Sequence, residues 1–257
     1  MKRCLFGFHA AVLMLVLTST DAGAGWFGFG GTSWKEEVLL HDGSKIIAER
    51  TIDRGGRHEI GQQPPIKEES LAFNMPKTDE RITWKSEFSA DIGYADFQPL
   101  LLDIFQGTAY VVTSPVGCLA YNKWGRPNPP YVIFKYQDKA WQRITMQELP
   151  AELNKPNLII SSPDNEVEKL GKSYVTAAMV QQANSDLTQT QFKTILRDEV
   201  KGGAGGCGEM ISNGKGRWIG IGWFRDQPSY EACLNYCAGE NVDAQHCPCA
   251  TLFKGAK

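Results

Sequence analysis

The 257-residue chain holds only four histidines, and none stands in an H-E-x-x-H pattern. A G-x-S-x-G elbow and a phosphate-cradling P-loop are also missing, so the local signatures of zinc hydrolases, α/β-hydrolases and nucleotide-binding enzymes do not occur. C-x-x-C is absent, which removes the spacing that thiol redox centres use. There is no block of five or six like charges, and the formal net charge is only -2. A nucleic-acid binder concentrates basic residues in a patch or stripe, so nucleic acid is not an expected partner. Beyond the N-terminus, charges interrupt every apolar run before it reaches the roughly 20 residues that cross a bilayer. No repeat with a period of 20–50 residues is present, which argues against a solenoid or a regular propeller.

What is present begins at the N-terminus. "MKRCLFGFHAAVLMLVLTSTDAGAGW" opens with Lys2 and Arg3, continues through the apolar run Ala10 to Leu17, and reaches Ala22-Gly23-Ala24. A basic start, a short apolar core and small residues spaced A-x-A predict a cleavable secretory signal over residues 1–24. Cys4 precedes the apolar run, whereas a lipid-anchoring cysteine would come after it. Loss of Lys2, Arg3 and Asp21 with that segment leaves 25 basic and 28 acidic residues, a net charge of -3. The mature chain is expected to be soluble and exported, either periplasmic or secreted.

Residues 25–33, "GWFGFGGTS", read as a flexible lead-in of glycine and aromatic residues. Residues 34–225 read as a β-rich domain. "WKEEVLLHDGSKIIAERTI" is a hairpin turning at Asp42-Gly43, a strong tight-turn pair. Further hairpins are expected at Gln106-Gly107, near Asp138-Lys139 and around Gly214-Lys215-Gly216. "ERITWKSEF" alternates Ile82, Trp84, Ser86 and Phe88 on one face, as a half-buried strand does. Helical spacing is confined to Tyr174–Leu187, while "QFKTILRDEV" and "RWIGIGWF" read as strands. The expected class is mainly β (α+β): an antiparallel, hairpin-built sheet, one central helix, and a disulfide-stapled helix-strand unit over residues 226–257.

That last unit holds four of the seven cysteines. Asp226 or Ser229 is placed to cap a helix, and Gly239 to end it. Cys233 and Cys237 then share a helix face about 5–6 Å apart. Cys247 and Cys249, in an extended strand, share a face about 6.6 Å apart. Two parallel disulfides would clip tail to helix. The pairing order stays open, with the short link favouring Cys237 to Cys247 and Cys233 to Cys249. Cys118 and Cys207 remain as a third pair. A zinc centre that includes His246 is the rival, but C-x3-C with C-x-C departs from zinc-ribbon spacing, and export favours oxidation.

Two loops carry candidate ligand-binding residues. Arg54, Arg57 and His58 in "DRGGRHE" surround two glycines and suit an anionic group; the plainer alternative is a charged hairpin tip. Tyr121, Lys123, Trp124, Arg126 and Tyr131 in "YNKWGRPNPPY" make a rigid loop suited to a sugar or peptide, or simply a packed connection. His41 reads as a solvated hairpin residue. No nucleophile is singled out, so no catalytic residue is assigned.

Over Cys233 to Cys249 the spacing resembles the cysteine-stabilised αβ motif of defensins, without that family's third bridge. "LLHDG", "RGGRHEIGQ", "YNKWGRPNPPYVIFKY" and "GWFRDQPSYEAC" together resemble an exported bacterial protein family of unknown function, from about Trp34 to Phe253. That resemblance implies a periplasmic or secreted setting and no particular activity. The features together predict an exported protein that binds an envelope component, protein or carbohydrate, with no cofactor or metal ion. The alternatives are an extracytoplasmic hydrolase with scattered catalytic residues and a structural partner in an envelope complex.

Overall fold

Alternation decides the first half of the chain. In the computed structural model, which describes residues 31–56, 58–202 and 206–254, β1 (Thr32–Leu39) and β2 (Lys45–Arg54) pair antiparallel about the expected Asp42-Gly43 turn. Gly43 takes φ +84° there, and Asp42 Oδ1 accepts from the Ser44 amide at 2.9 Å and hydroxyl at 2.6 Å. The meander continues through β3 (Ile66–Asn74) and β4 (Arg81–Ser86). Every second residue turns inward, so Trp34, Val38, Ala48, Ile52, Leu71, Phe73, Ile82 and Trp84 are buried on one face. The expected signal segment, the expected lead-in up to residue 30, and Arg57 lie outside the described residues.

Phe88 departs from the expected alternation. The Phe97 amide donates to Ser86 Oγ at 2.9 Å, β4 stops there, and Phe88 enters a separate two-residue strand with 43% of its surface exposed. That strand, β5 (Phe88–Ser89), pairs with β6 (Tyr94–Ala95). A second sheet comprises β7 (Phe97–Phe105), β8 (Thr108–Pro115), β9 (Val132–Gln137) and β10 (Ala140–Ile144) in the order β10-β9-β8-β7. Its hairpins turn at Gln106-Gly107 and Asp138-Lys139, all four residues having positive φ, as two-residue hairpin loops require. Helix α1 (Gly117–Lys123) lies between β8 and β9, so the expected loop from Tyr121 begins inside a helix.

The two sheets pack face to face. Val38, Ala48, Leu71, Phe73 and Trp84 of the first meet Phe97, Leu102, Val111 and Val132 of the second. The outer side of the second sheet is covered by Leu149, Leu153, Ile160 and Ile195 from the next segment of chain. That segment contains α2 (Pro163–Leu170), β11 (Tyr174–Val175), α3 (Ala177–Ala183) and α4 (Thr190–Lys193). The helix expected from Tyr174 is shorter, because Tyr174 and Val175 pair parallel to β1 and Thr176 caps α3. "QFKTILRDEV" is a helical turn and loop rather than a strand. Side chains tie it to the rest of the fold: Tyr131 Oη donates to the Gln191 carbonyl at 2.9 Å, and the segment's own Arg197 donates to the carbonyls of Leu149, Pro150 and Leu153.

The C-terminal region has its own small core of Ile219, Phe224, Cys233, Cys237, Val242 and Cys249. β12 (Met210–Ser212) and β13 (Trp218–Gly220) form the expected hairpin, but the chain leaves β13 directly into α5 (Ile221–Arg225). "RWIGIGWF" is therefore half strand and half helix. α6 (Tyr230–Gly239) is capped by Ser229, whose Oγ accepts from the Ala232 amide at 3.1 Å. Cys247–Cys249 is not a strand: Pro248 caps a short helix, α7 (Cys249–Leu252), with the Thr251 and Leu252 amides bonded back to its carbonyl. The staple is helix to helix. Disulfides join Cys233 to Cys249 and Cys237 to Cys247, the order the short link favours, and Cys118 to Cys207. Three disulfides mark an oxidising, extracytoplasmic setting. Among the described residues no helix is long and apolar enough to cross a membrane.

Candidate functional site

The inner face of the first sheet carries charges where apolar residues would be expected. Glu36 and Arg50 are fully buried and Glu69 is 1% exposed, in the same inward parity as Trp34, Val38, Ile52 and Leu71. Arg50 opposes Leu71, and Glu69 opposes Ile52, so the three lie diagonally across β1, β2 and β3. Arg50 Nε donates to Glu69 Oε1 at 2.7 Å, and Nη1 donates to Glu36 Oε2 at 3.3 Å and to the Ile159 carbonyl at 2.8 Å. Nη2 sits 2.6 Å from Glu69 Oε1 without a well-aimed hydrogen bond. Glu36 is further held by the Trp34 indole at 2.9 Å and the Ile159 amide at 2.8 Å. Burial pushes the Glu69 carboxyl above the ordinary glutamate range, against the opposing pull of Arg50.

Further along β2, Arg54 forks onto Asp164 at 2.5 and 2.8 Å and donates to the Pro64 carbonyl at 3.0 Å. Burial alone would raise the Asp164 carboxyl, but the hydrogen bonds and charge of Arg54 outweigh it and hold the group below the ordinary aspartate range. Next to this ladder a cavity of about 420 Å³ opens at the seam between the sheets. Glu69 and Arg54 supply its charge, while Ile66, Ala95, Phe97 and Val116 supply apolar wall. Tyr94, Gln98, Ser161 and Ser162 complete the polar lining. Gln98 Nε2 donates to the Ile160 carbonyl, and its amide oxygen makes no hydrogen bond among the described residues. An apolar cavity of this size with a few convergent polar groups, one of them a carboxyl with a shifted pKa, has the character of a ligand site.

The candidates read from the sequence divide. Arg54 lines the cavity, already paired to Asp164. His58 is exposed, its Nδ1 2.9 Å from the Gly56 carbonyl, and is not among the cavity's lining residues. The second group forms a joint rather than an open loop. Tyr121 is buried beneath Arg126, which donates to Asn122 Oδ1 and the Cys207 carbonyl. Lys123 pairs with Asp91 and Asp96, each at 3.1 Å. Trp124 donates to Asp96 at 2.8 Å and packs against Phe97 and Arg143. Tyr131 is buried, and desolvation pushes its phenol up to about 12. Sequence reading missed Glu36, Arg50 and Glu69, although period-2 parity along "WKEEV", "IAERTI" and "ESLAF" puts each on a buried face.

His41 is an exposed hairpin residue, as expected, but its ring turns inward onto a buried partner. Its Nδ1 lies 2.7 Å from Asp103 Oδ1, and the two side chains are 18% and 3% exposed. Its backbone amide reaches Asp103 Oδ2 at 2.9 Å. Burial raises the Asp103 carboxyl, with the His41 contacts opposing. The pair borders a second cleft of about 370 Å³ among Leu39, Leu101, Asn157 and Val180. No serine, threonine or tyrosine lines it among the described residues. Compared with known proteins, the chain matches no family model, no curated protein and no solved structure.

Proposed function

We propose that this is an exported, non-catalytic binding protein of the bacterial cell envelope, which holds a small, largely apolar ligand in the cavity beside Glu69. Residues 1–24 act as its cleavable signal, and the disulfides support a periplasmic or secreted home. The cavity carries the reading: a largely apolar wall at the seam of the two sheets, with a buried carboxyl among its lining residues. A thermal-shift panel of cell-wall sugars, peptides, anionic metabolites and small apolar molecules tests it. Val116 is 37% exposed and lines the cavity, so Val116→Trp should obstruct the site while the protein still folds. A ligand-induced rise in Tm that this substitution removes supports the proposal; no rise with any class sinks it.

The second reading, a hydrolase, rests on His41 and Asp103. A histidine whose Nδ1 is held by a buried carboxylate presents Nε2 as a base, which in this cleft would have to act on water. Hydrolysis of model esters or amides that is lost on His41→Ala would favour it over the binding reading.

A further inference from the structure

Building on that binding reading, we propose that the cavity selects a ligand carrying a protonated primary amine on an apolar body. The charge inventory around the cavity argues for it. Glu36, Glu69 and Asp164 face only Arg50 and Arg54, so the carboxyl groups outnumber the guanidinium groups by one. Guanidinium stays protonated in proteins, and an excess negative charge in a dry interior must be met by a proton or a cation. The other ionisable groups nearby do not supply one. Tyr94 is a phenol that burial holds in its neutral form, and Lys123 is engaged by Asp91 and Asp96.

The hydrogen-bond inventory agrees. Arg54 uses three of its five N–H groups on Asp164 and the Pro64 carbonyl, and Asp164 meets its charge, so no uncompensated guanidinium waits for an anionic head group. Arg50 addresses only Oε1 of Glu69, and among the described residues no hydrogen bond reaches Oε2. The cavity therefore offers acceptors: Glu69 Oε2, the Gln98 amide oxygen and the Ser161 and Ser162 hydroxyls. An ammonium has three donors and no acceptor, which fits that set. Tyr94 and Phe97 add aromatic surface that attracts a cation and packs an apolar body.

The probes are 2-phenylethylamine, 2-phenylethanol and 3-phenylpropanoate, titrated calorimetrically into the full chain at neutral pH and low salt. The expected order is amine over alcohol by at least about tenfold, the difference one charge-assisted contact confers, with no detectable carboxylate binding. Burial raises the Glu69 carboxyl, so amine binding should shift it toward the carboxylate, and any proton displaced is seen as an enthalpy that varies with the buffer's ionisation heat. Glu69→Gln, close to isosteric, should erase the amine preference and any proton release while alcohol binding persists. Equal affinity for amine and alcohol, or binding of the carboxylate, overturns the amine assignment but leaves the cavity as a binding site. If none of the three binds and Val116→Trp alters no ligand-induced shift, both the assignment and the binding reading fall.

Discussion

Replacing Arg50 with methionine should be among the most damaging single changes available to this fold. The side chain is fully buried, donates to two carboxylates and a carbonyl, and lies 5.4 Å from the Trp34 ring centroid. Methionine keeps much of the volume, so the cavity penalty is small and the cost is electrostatic. Glu36 and Glu69 would remain in the interior without a counter-charge, and breaking a buried pair by removing one partner costs about 3–5 kcal/mol. For a domain of this size that corresponds to a fall in Tm of about 6–20 °C. Urea unfolding followed by circular dichroism at neutral pH would measure it. The variant should recover as pH drops, because protonation of the stranded carboxyls removes the buried charge. Adding Glu36→Gln and Glu69→Gln should restore most of the loss. A single-variant cost under about 1 kcal/mol, or no recovery in the triple variant, would refute the view that these three groups act as one unit.

Glu69, with a raised folded-state pKa, should make wild-type stability fall as pH rises from the ordinary glutamate range through that pKa; Glu69→Gln should flatten this decline, measured by Tm against pH. Asp164, with a lowered pKa, contributes stability that is present above the ordinary aspartate range and lost on acidification, and Asp164→Asn should remove that acid limb. Opening Cys118–Cys207, separated by 89 positions, should cost about 4–5 kcal/mol on loop-entropy grounds, read from urea midpoints of the double-alanine variant. The two C-terminal bridges are nested, with separations of 16 and 10. Losing both should therefore cost less than the sum of about 3 kcal/mol each. Intact mass of the exported protein before and after reduction should show three bridges and a mature start at Gly25.

The hairpins were the most legible part of the fold. Asp42-Gly43 is marked by its Asp-Gly pair, with Gly43 at positive φ, while Gln106-Gly107 and Asp138-Lys139 form two-residue loops in which both residues take positive φ. The C-terminal pairing was nearly legible too, since a helix fixes Cys233 and Cys237 on one face whatever backbone carries their partners. The backbone of those partners was not: Pro248 turns the chain into a helix where two-residue cysteine spacing suggested a strand. "QFKTILRDEV" misled for a tertiary reason: Tyr131, 60 positions earlier, donates to the Gln191 carbonyl, and the segment's own Arg197 anchors it to the carbonyls of Leu149 and Pro150, contacts that take the place of a ladder. The cavity was hidden by its construction. Arg54, Glu69, Tyr94, Phe97, Val116 and Ser162 are scattered along the chain, and no local motif joins them. His41 beside Asp103 was equally out of reach, being a contact across 62 positions.

Amide chemical-shift mapping of the full chain, titrated with small apolar molecules, tests the binding claim most directly. Perturbations clustered at Ala95, Phe97, Val116 and Ser162, and lost in Val116→Trp, are the predicted result. Perturbations centred instead on His41, Leu101 and Asn157 would contradict it and move the functional site to the histidine cleft.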